Sequence, residues 1–227
     1  MTHAAAHPRE GFWKAFGRLR LAGQPWNHKR VHRVYKKLGL SLRRKVEKRL
    51  RGRVNEALVV PTMNKDTWSI DFMHDRLENG RIVHCFNVLD GANREILHVD
   101  IDYSLKSKRV IWVLNHLIKR RTKPRKIRMD NGPEFIAQIT KAWSEAQEIE
   151  FKYIDPGKPT QHAFYIERFN RSFHSGVLDA HVFERVEQMW EQANRWVEDY
   201  NHYRPHDSLK GLPPVVYGQK FLRGVTP

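Results

Sequence analysis

The stretch DTWSIDFMHDRLENGRIVHCFNVLDGANREILHVDID, residues 66–102, decides the fold. Apolar side chains alternate through Trp68, Ile70 and Phe72, so Asp66–Phe72 reads as a first strand. The turn Glu78-Asn79-Gly80 leads into a second strand, Arg81–Leu89. A further turn, Asp90-Gly91-Ala92-Asn93, leads into a third, Ile96–Ile101. Three strands joined by short turns make an antiparallel meander.

Downstream the period changes. Lys106–Arg120 carries Val110, Ile111, Leu114, Leu117 and Ile118 at helical spacing. Lys126–Met129 reads as a short strand, Phe135–Ala146 as a helix and Ile149–Ile154 as a strand. The loop Asp155-Pro156-Gly157-Lys158-Pro159 follows, then a helix from Phe164 and a last one over Val186–Tyr203. The order βββαβαβα plus one helix predicts an α/β fold: a ribonuclease-H-like five-stranded mixed sheet with helices on both faces.

Upstream, Phe12, Trp13, Phe16 and Leu19 predict a short amphipathic helix. A second begins at His28, with Asn27 as its cap, Val31, Val34, Tyr35 and Leu38 on one face, and Gly39 as its stop. Basic residues crowd this end. Lys29, Arg30, Arg33, Lys36 and Lys37 decorate the second helix, and Arg43, Arg44 and Lys45 open a basic run that extends to Arg53. Of 41 Lys and Arg against 25 Asp and Glu, residues 1–60 hold 16 and 3. Charge packed at one end is the footprint of a partner for a polyanion. The domain reading is therefore a helix-turn-helix fragment with a basic arm over 1–60, an α/β core over 61–218 and a tail over 219–227.

Composition excludes other classes. The single cysteine, Cys85, excludes an intramolecular disulfide framework and a multi-Cys zinc site. The longest apolar run, Val110–Leu114, is far short of a membrane span. Met1–Phe12 has no secretory apolar stretch. A soluble intracellular protein is the expectation.

Three carboxylates stand out. Asp71 lies in the first strand, opposite in facing to Ile70 and Phe72. Asp130 ends the fourth strand, and Glu167 lies on the helix after the Pro-Gly loop. If the first and fourth strands are neighbours, Asp71 and Asp130 come together, and a helix crossing them adds Glu167. Three carboxylates suit a pair of Mg²⁺ ions, since hard cations take oxygen ligands and two ions can serve both ends of a phosphoryl transfer. By contrast His98, Asp100 and Asp102 share one strand face that reads as a solvated edge rather than a metal site.

The motifs WNHKRVHRVYKKLGLSLRRK (26–45), WSIDFMHD (68–75), IRMDNGPEF (127–135), PGKPTQ (156–161), IERFNRSF (166–173) and YNHYRPHDSL (200–209) carry a family resemblance. The chain resembles insertion-sequence transposases of the OrfB type, insertion-sequence-three family, which have a retroviral-integrase-like catalytic core. That resemblance implies that Asp71, Asp130 and Glu167 are the DDE triad and that the cofactor is Mg²⁺ or Mn²⁺, two ions. It implies DNA as substrate: the element's terminal inverted repeats and target DNA. It also implies metal-dependent end nicking and 3′-OH strand transfer, with the upstream reading-frame product (OrfA) as partner or fusion and a homo-oligomer on DNA. Lys158, Arg168, Arg171 and His174 join the α-helical basic residues as expected DNA contacts.

The sequence departs from the family pattern in four ways. Asp130 and Glu167 are separated by 36 residues, one more than usual, with the extra residue falling in Thr160–Ile166. His162 stands where Asn is common. His174 replaces a basic residue, and Gly176 an acidic one. The chain also begins later than the family's product. These departures frame the alternative expectation, a catalytically impaired DNA-binding remnant.

Overall fold

The computed structural model describes residues 7, 9–42, 67–130, 132, 138–153 and 164–221. The expected DNA contacts Arg43, Arg44, Lys45 and Lys158 lie outside the described residues, as do Asn131, Glu134, His162 and the boundary at 60/61.

The elements are α1 (Phe12–Leu21), α2 (His28–Lys37), β1 (Thr67–Arg76), β2 (Ile82–Asp90), β3 (Ile96–Asp102), α3 (Ser107–Arg120) and β4 (Lys126–Met129). They continue with α4 (Gln138–Ala146), β5 (Glu150–Tyr153), α5 (Phe164–Phe173), α6 (Val186–His202) and α7 (Pro214–Phe221). The sheet order is β3-β2-β1-β4-β5. β2 runs antiparallel to β1 and β3, whereas β4 is parallel to β1 and β5. The first and fourth strands are therefore neighbours, as the carboxylate argument requires.

Strand alternation divides the core in two. Trp68, Ile70, Phe86, Val88, Ile127 and Met129 pack with Val110, Val113, Leu114 and Leu117 of α3 on one side. Val83, Cys85, Leu89, Val99 and Ile101 pack with Phe169 and Phe173 of α5 and Met189 and Tyr200 of α6 on the other. This is the expected mixed sheet with helices on both faces.

The structure corrects several details. β1 runs four residues past Phe72, to Arg76, and stays paired to β2 through Arg76↔Ile82. Helix α7 was not read from the sequence. It runs through the expected boundary at 218, with Gly218 so close to Asn93 that a Cβ would sit 2.7 Å from its Nδ2. The face of His98, Asp100 and Asp102 is solvated at Asp102 alone, with His98 half-buried and Asp100 buried. Asp100 is 1% exposed and bonded by Arg109 Nε of α3 at 2.7 Å.

The N-terminal helices are docked rather than free. Asn27 accepts from the Lys29 N–H at 2.8 Å and Gly39 takes φ +68°, so α2 is capped and stopped as read. Phe12 of α1 meets Tyr35 of α2 edge-on at 5.5 Å. Arg18 of α1 is buried and donates to Glu10 at 2.8 Å and to Asp199 of α6 at 2.8 Å. Gly17 lets α1 approach the turn after α6, where a Cβ would meet Pro205 at 2.8 Å. Among the described residues no helix is long and apolar enough to cross a membrane.

Candidate carboxylate site at the sheet's switch in strand direction

β1 is where the sheet changes from antiparallel to parallel pairing, a common place for a site in α/β sheets. The β1–β4 register ends at Ser69↔Arg128. Asp71 and Asp130 each stand two residues beyond that pair, so they share one level of the sheet. Asp71 is partly buried, whereas Asp130 is exposed at the end of β4 and accepts from the Gly132 N–H at 3.1 Å.

Helix α5 crosses the face that Asp71 points to. Asn170 Nδ2 donates to Asp71 Oδ2 at 2.6 Å. Asn87, which faces Asp71 across the β1–β2 ladder, donates through Nδ2 to Asn170 Oδ1 at 2.9 Å. Asn87 and Asn170 are both buried, so this chain of amides pins α5 against β1. Glu167 lies three residues before Asn170, on the same side of the helix, and is exposed. The amide clamp thus fixes the turn of α5 that carries Glu167.

Electrostatics reflect this gathering. Burial, then the Asp130 charge and also the Glu167 charge push the Asp71 carboxyl up to about 7, against the Phe72 N–H and Asn170 bonds that favour ionisation. A raised carboxyl alone does not mark a site. Asp90 is pushed up to about 6 by burial, yet it serves the β2–β3 turn, accepting from the Ala92 N–H at 2.9 Å. Asp71 differs in having two further carboxylates acting on it. The three do not close into one tight cluster. Among the described residues only His7, Glu10 and Asp199 place ligand atoms within 4.8 Å of one another, and there Arg18 bridges the two carboxylates. That triple is an ion-pair network, in which Arg18 outweighs burial and holds Glu10 low.

A set of like-charged carboxylates steadied by a neutral amide is the donor chemistry of a divalent-cation site. Asp71, Asp130 and Glu167 fit such an ion by residue type and charge.

The expected DNA contacts divide. Lys29, Arg30, Arg33, Lys36 and Lys37 are all exposed on α2, and Arg168 and Arg171 are exposed on α5. His174 is already engaged, with Nδ1 3.2 Å from Asp179 Oδ2, and Arg9 donates to the Asp179 carbonyl. It lies in a π-helical turn, His174–Leu178, that continues α5. The family's acidic residue has no room at Gly176, where a Cβ would lie 2.4 Å from Trp196 Nε1. Glycine there is a packing requirement of this chain. Arg204 is partnered by Glu10 at 3.6 Å. Sequence reading missed Asn87 and Asn170 as site residues. Asn170 lay in plain view within the ERFN motif; Asn87 carries no local signal.

Comparison with known proteins agrees with this arrangement. Residues 61–159 match an integrase core domain model, and residues 147–214 match a second model with the same description. An uncharacterized 31.7 kDa protein of insertion element IS407 from Burkholderia multivorans is 34% identical over 217 residues, covering 95% of this chain and 78% of that protein. An uncharacterized 39.2 kDa protein of insertion element IS476 from Xanthomonas euvesicatoria is 34% identical over 96% of this chain, which spans 63% of that relative's length. Among solved structures, the simian T-cell lymphotropic virus intasome superposes with a TM-score of 0.64 at 14% identity, covering 93% of this chain and 73% of that one. The HTLV-2 integrase catalytic core domain, solved in complex with magnesium, gives 0.53 at 16% identity, covering 67% and 95%. At such identities these two likenesses speak for the ribonuclease-H-like fold alone. The fold, the two integrase-core matches and the insertion-element relatives together show that this chain belongs to the integrase-core family, among the proteins of bacterial insertion elements.

Proposed function

We propose that the protein is a DDE-type DNA transposase: a polynucleotidyl transferase that nicks the ends of an insertion sequence and joins the freed 3′-OH to target DNA. The observation that carries this reading is the convergence of two carboxylate charges on Asp71, at the strand-direction switch of an integrase-core fold. Asp71, Asp130 and Glu167 are the catalytic and metal-holding residues in this reading. A pair of Mg²⁺ or Mn²⁺ ions, when bound, supplies activation of the attacking oxygen and stabilisation of the leaving one.

The chain's own residues do the positioning. Asn170 donates to one oxygen of Asp71 and the Phe72 N–H donates to the other, so the carboxyl is held in one orientation. Asn87 holds Asn170 and so keeps α5 from rotating. In the first step a water oxygen attacks the phosphorus at the element end, the P–O3′ bond breaks and the 3′ oxygen leaves as a hydroxyl. In the second that hydroxyl oxygen attacks a target phosphodiester, and the target's own 3′ oxygen leaves. No external energy source is required, because each step exchanges one phosphoester bond for another or for water.

The substrates are the element's terminal inverted repeats and target DNA, with α2 and the exposed side of α5 as basic contacts. The upstream-frame product and further copies of this chain complete the complex on DNA. The test is a joining assay with a labelled element end, target DNA and Mn²⁺, with the upstream product supplied. Joined strands that vanish in Asp71→Asn support the reading. Salt-sensitive DNA binding with no joining in any arm supports the alternative, an impaired remnant in which His174 is tied to Asp179.

A further inference from the structure

The other side of α5 holds a second charged cluster, which joins Arg168, one of the basic contacts above, to three cations not yet assigned. Tyr165, Arg168 and Ser172 lie on one face of α5 at helical spacing and line a cavity of about 150 Å³. Lys14 of α1, Arg94 of the β2–β3 turn and Arg204 after α6 close it. Four cations thus converge from four separate parts of the chain, and one lining carboxylate, Asp207, opposes them.

The donors of Lys14 and Arg94 are only partly spent. Lys14 Nζ donates to the Pro205 carbonyl at 2.7 Å and to Asp207 at 3.3 Å, leaving one of its three hydrogens. Arg94 is 7% exposed, lies 4.0 Å over the Tyr165 ring and donates through Nη1 to Ser208 Oγ. Its Nε is buried without a partner. An unsatisfied buried guanidinium N–H costs stability unless something accepts from it. Burial, and then the Arg204 and Arg168 charges against the opposing Asp207, hold the Lys14 ammonium below its usual range. Among the described residues the four cations outnumber the two carboxylates that pair with them, Asp207 with Lys14 and Glu10 with Arg204, so the cavity is lined with net positive charge.

We propose that this cavity is a phosphate-binding site that seats a backbone phosphodiester of bound DNA. Donors arriving from several directions suit a tetrahedral oxyanion, and the net charge of +16 favours a polyanion as its source. α5 then acts as a divider, with carboxylates for the reacting phosphate on one side and cations for a non-reacting one on the other. The inference rests on the DNA-acting reading above, but its test needs no catalysis.

The full chain and a labelled random-sequence duplex are titrated over a salt series. Lys14→Gln/Arg168→Gln is expected to weaken binding several-fold. It should flatten the slope of log K against log salt by about one, since both residues serve one phosphate. The charge-preserving pair Lys14→Arg/Arg168→Lys should keep the wild-type slope, which separates charge from folding. Lys119→Gln/Arg120→Gln, on the exposed end of α3, is the charge-matched control. In a second arm inorganic phosphate should raise the melting temperature of the wild type and not of the Gln pair. A Gln pair with the slope and affinity of its charge-matched control overturns the proposal, as does equal stabilisation by phosphate of wild type and variant. A wild type that fails to bind duplex, yet is stabilised by phosphate through these residues, overturns DNA as the source and the functional reading with it. Competition by polyglutamate and not by phosphate assigns the cavity to an acidic protein partner instead and overturns the proposal.

Discussion

Helix α5 separates two clusters of like charge that are held together in different ways. On one side Asp71, Asp130 and Glu167 come from two strands and a helix, and neutral donors brace them: the Asn87–Asn170 pair and the Phe72 N–H at Asp71, and the Gly132 N–H at Asp130. On the other side Lys14 and Arg168 come from two helices and Arg94 and Arg204 from two loops, braced by a carbonyl, a ring and one partner carboxylate each for Lys14 and Arg204. Asp71 and Asp130 are placed by the sheet, where the β1–β4 register fixes their level to a residue, and Glu167 by the amide clamp on α5. The cations sit on the periphery, where α1 is held by Gly17 against Pro205 and by Arg18 against Asp199. Reaction geometry needs the first kind of support, whereas holding a phosphate tolerates the second.

Breaking the carboxylate side should give the largest effect. Asp71→Asn, Asp130→Asn or Glu167→Gln should each lower strand joining by at least about a thousandfold, roughly 4 kcal/mol of barrier, with DNA binding kept. A joining rate within tenfold of wild type would break the assignment of that residue.

The same side should carry a pH signature. The Asp71 carboxyl sits near 7 in the folded chain, against about 3.9 unfolded, so the folded state holds its proton more tightly. Stability is then undiminished below about pH 4 and falls as pH rises through the folded value near 7. Without divalent ions Asp71→Asn should therefore leave stability unchanged near pH 4 and raise it by a few kcal/mol above pH 7. Urea denaturation at the two pH values measures this. A stabilisation that is equal at both pH values would show that Asp71 carries no charge strain.

The brace between the clusters ranks third. Asn170→Ala leaves the Asn87 amide donor buried and frees Asp71, and should cost about 1–3 kcal/mol in folding. It should also lower the joining rate more than DNA affinity, because it acts through Asp71. An equal loss in both would make Asn170 merely structural. The smallest effect is expected on the cation side, where removing Lys14 and Arg168 should change DNA affinity several-fold and leave the metal dependence of joining untouched.

The two clusters were also unequally legible. The three carboxylates could be read from the sequence because each sits in a local pattern: an alternating strand, a strand end, a helix face. The sheet was legible for the same reason, since period and turn residues are local signals. The cation cluster was not. Lys14, Arg94, Arg168 and Arg204 are scattered over almost the whole chain, and only docking of α1 on α6 brings Lys14 to them. Asn87 was invisible because a polar residue on a strand gives no sign of a partner 83 positions away. Helix α7 was missed because it opens with Pro213-Pro214 and contains Gly218, residues that read as loop. Proline fits a first helical turn, and glycine here is needed for the approach to Asn93. Gly176 and His174 looked like losses from the family pattern. The first is a close contact with Trp196 and the second a pair with Asp179, so both are accommodated by this chain's own packing.

Mn²⁺ binding followed by electron paramagnetic resonance tests the central claim most directly, because it asks whether the carboxylate side of α5 takes a divalent cation before any DNA is added. Wild-type chain should bind Mn²⁺, with competition by Mg²⁺, and binding should be weakened at least about tenfold in Asp71→Asn and in Glu167→Gln. Binding of equal strength in wild type and both variants, or none in the folded wild type, would contradict the account.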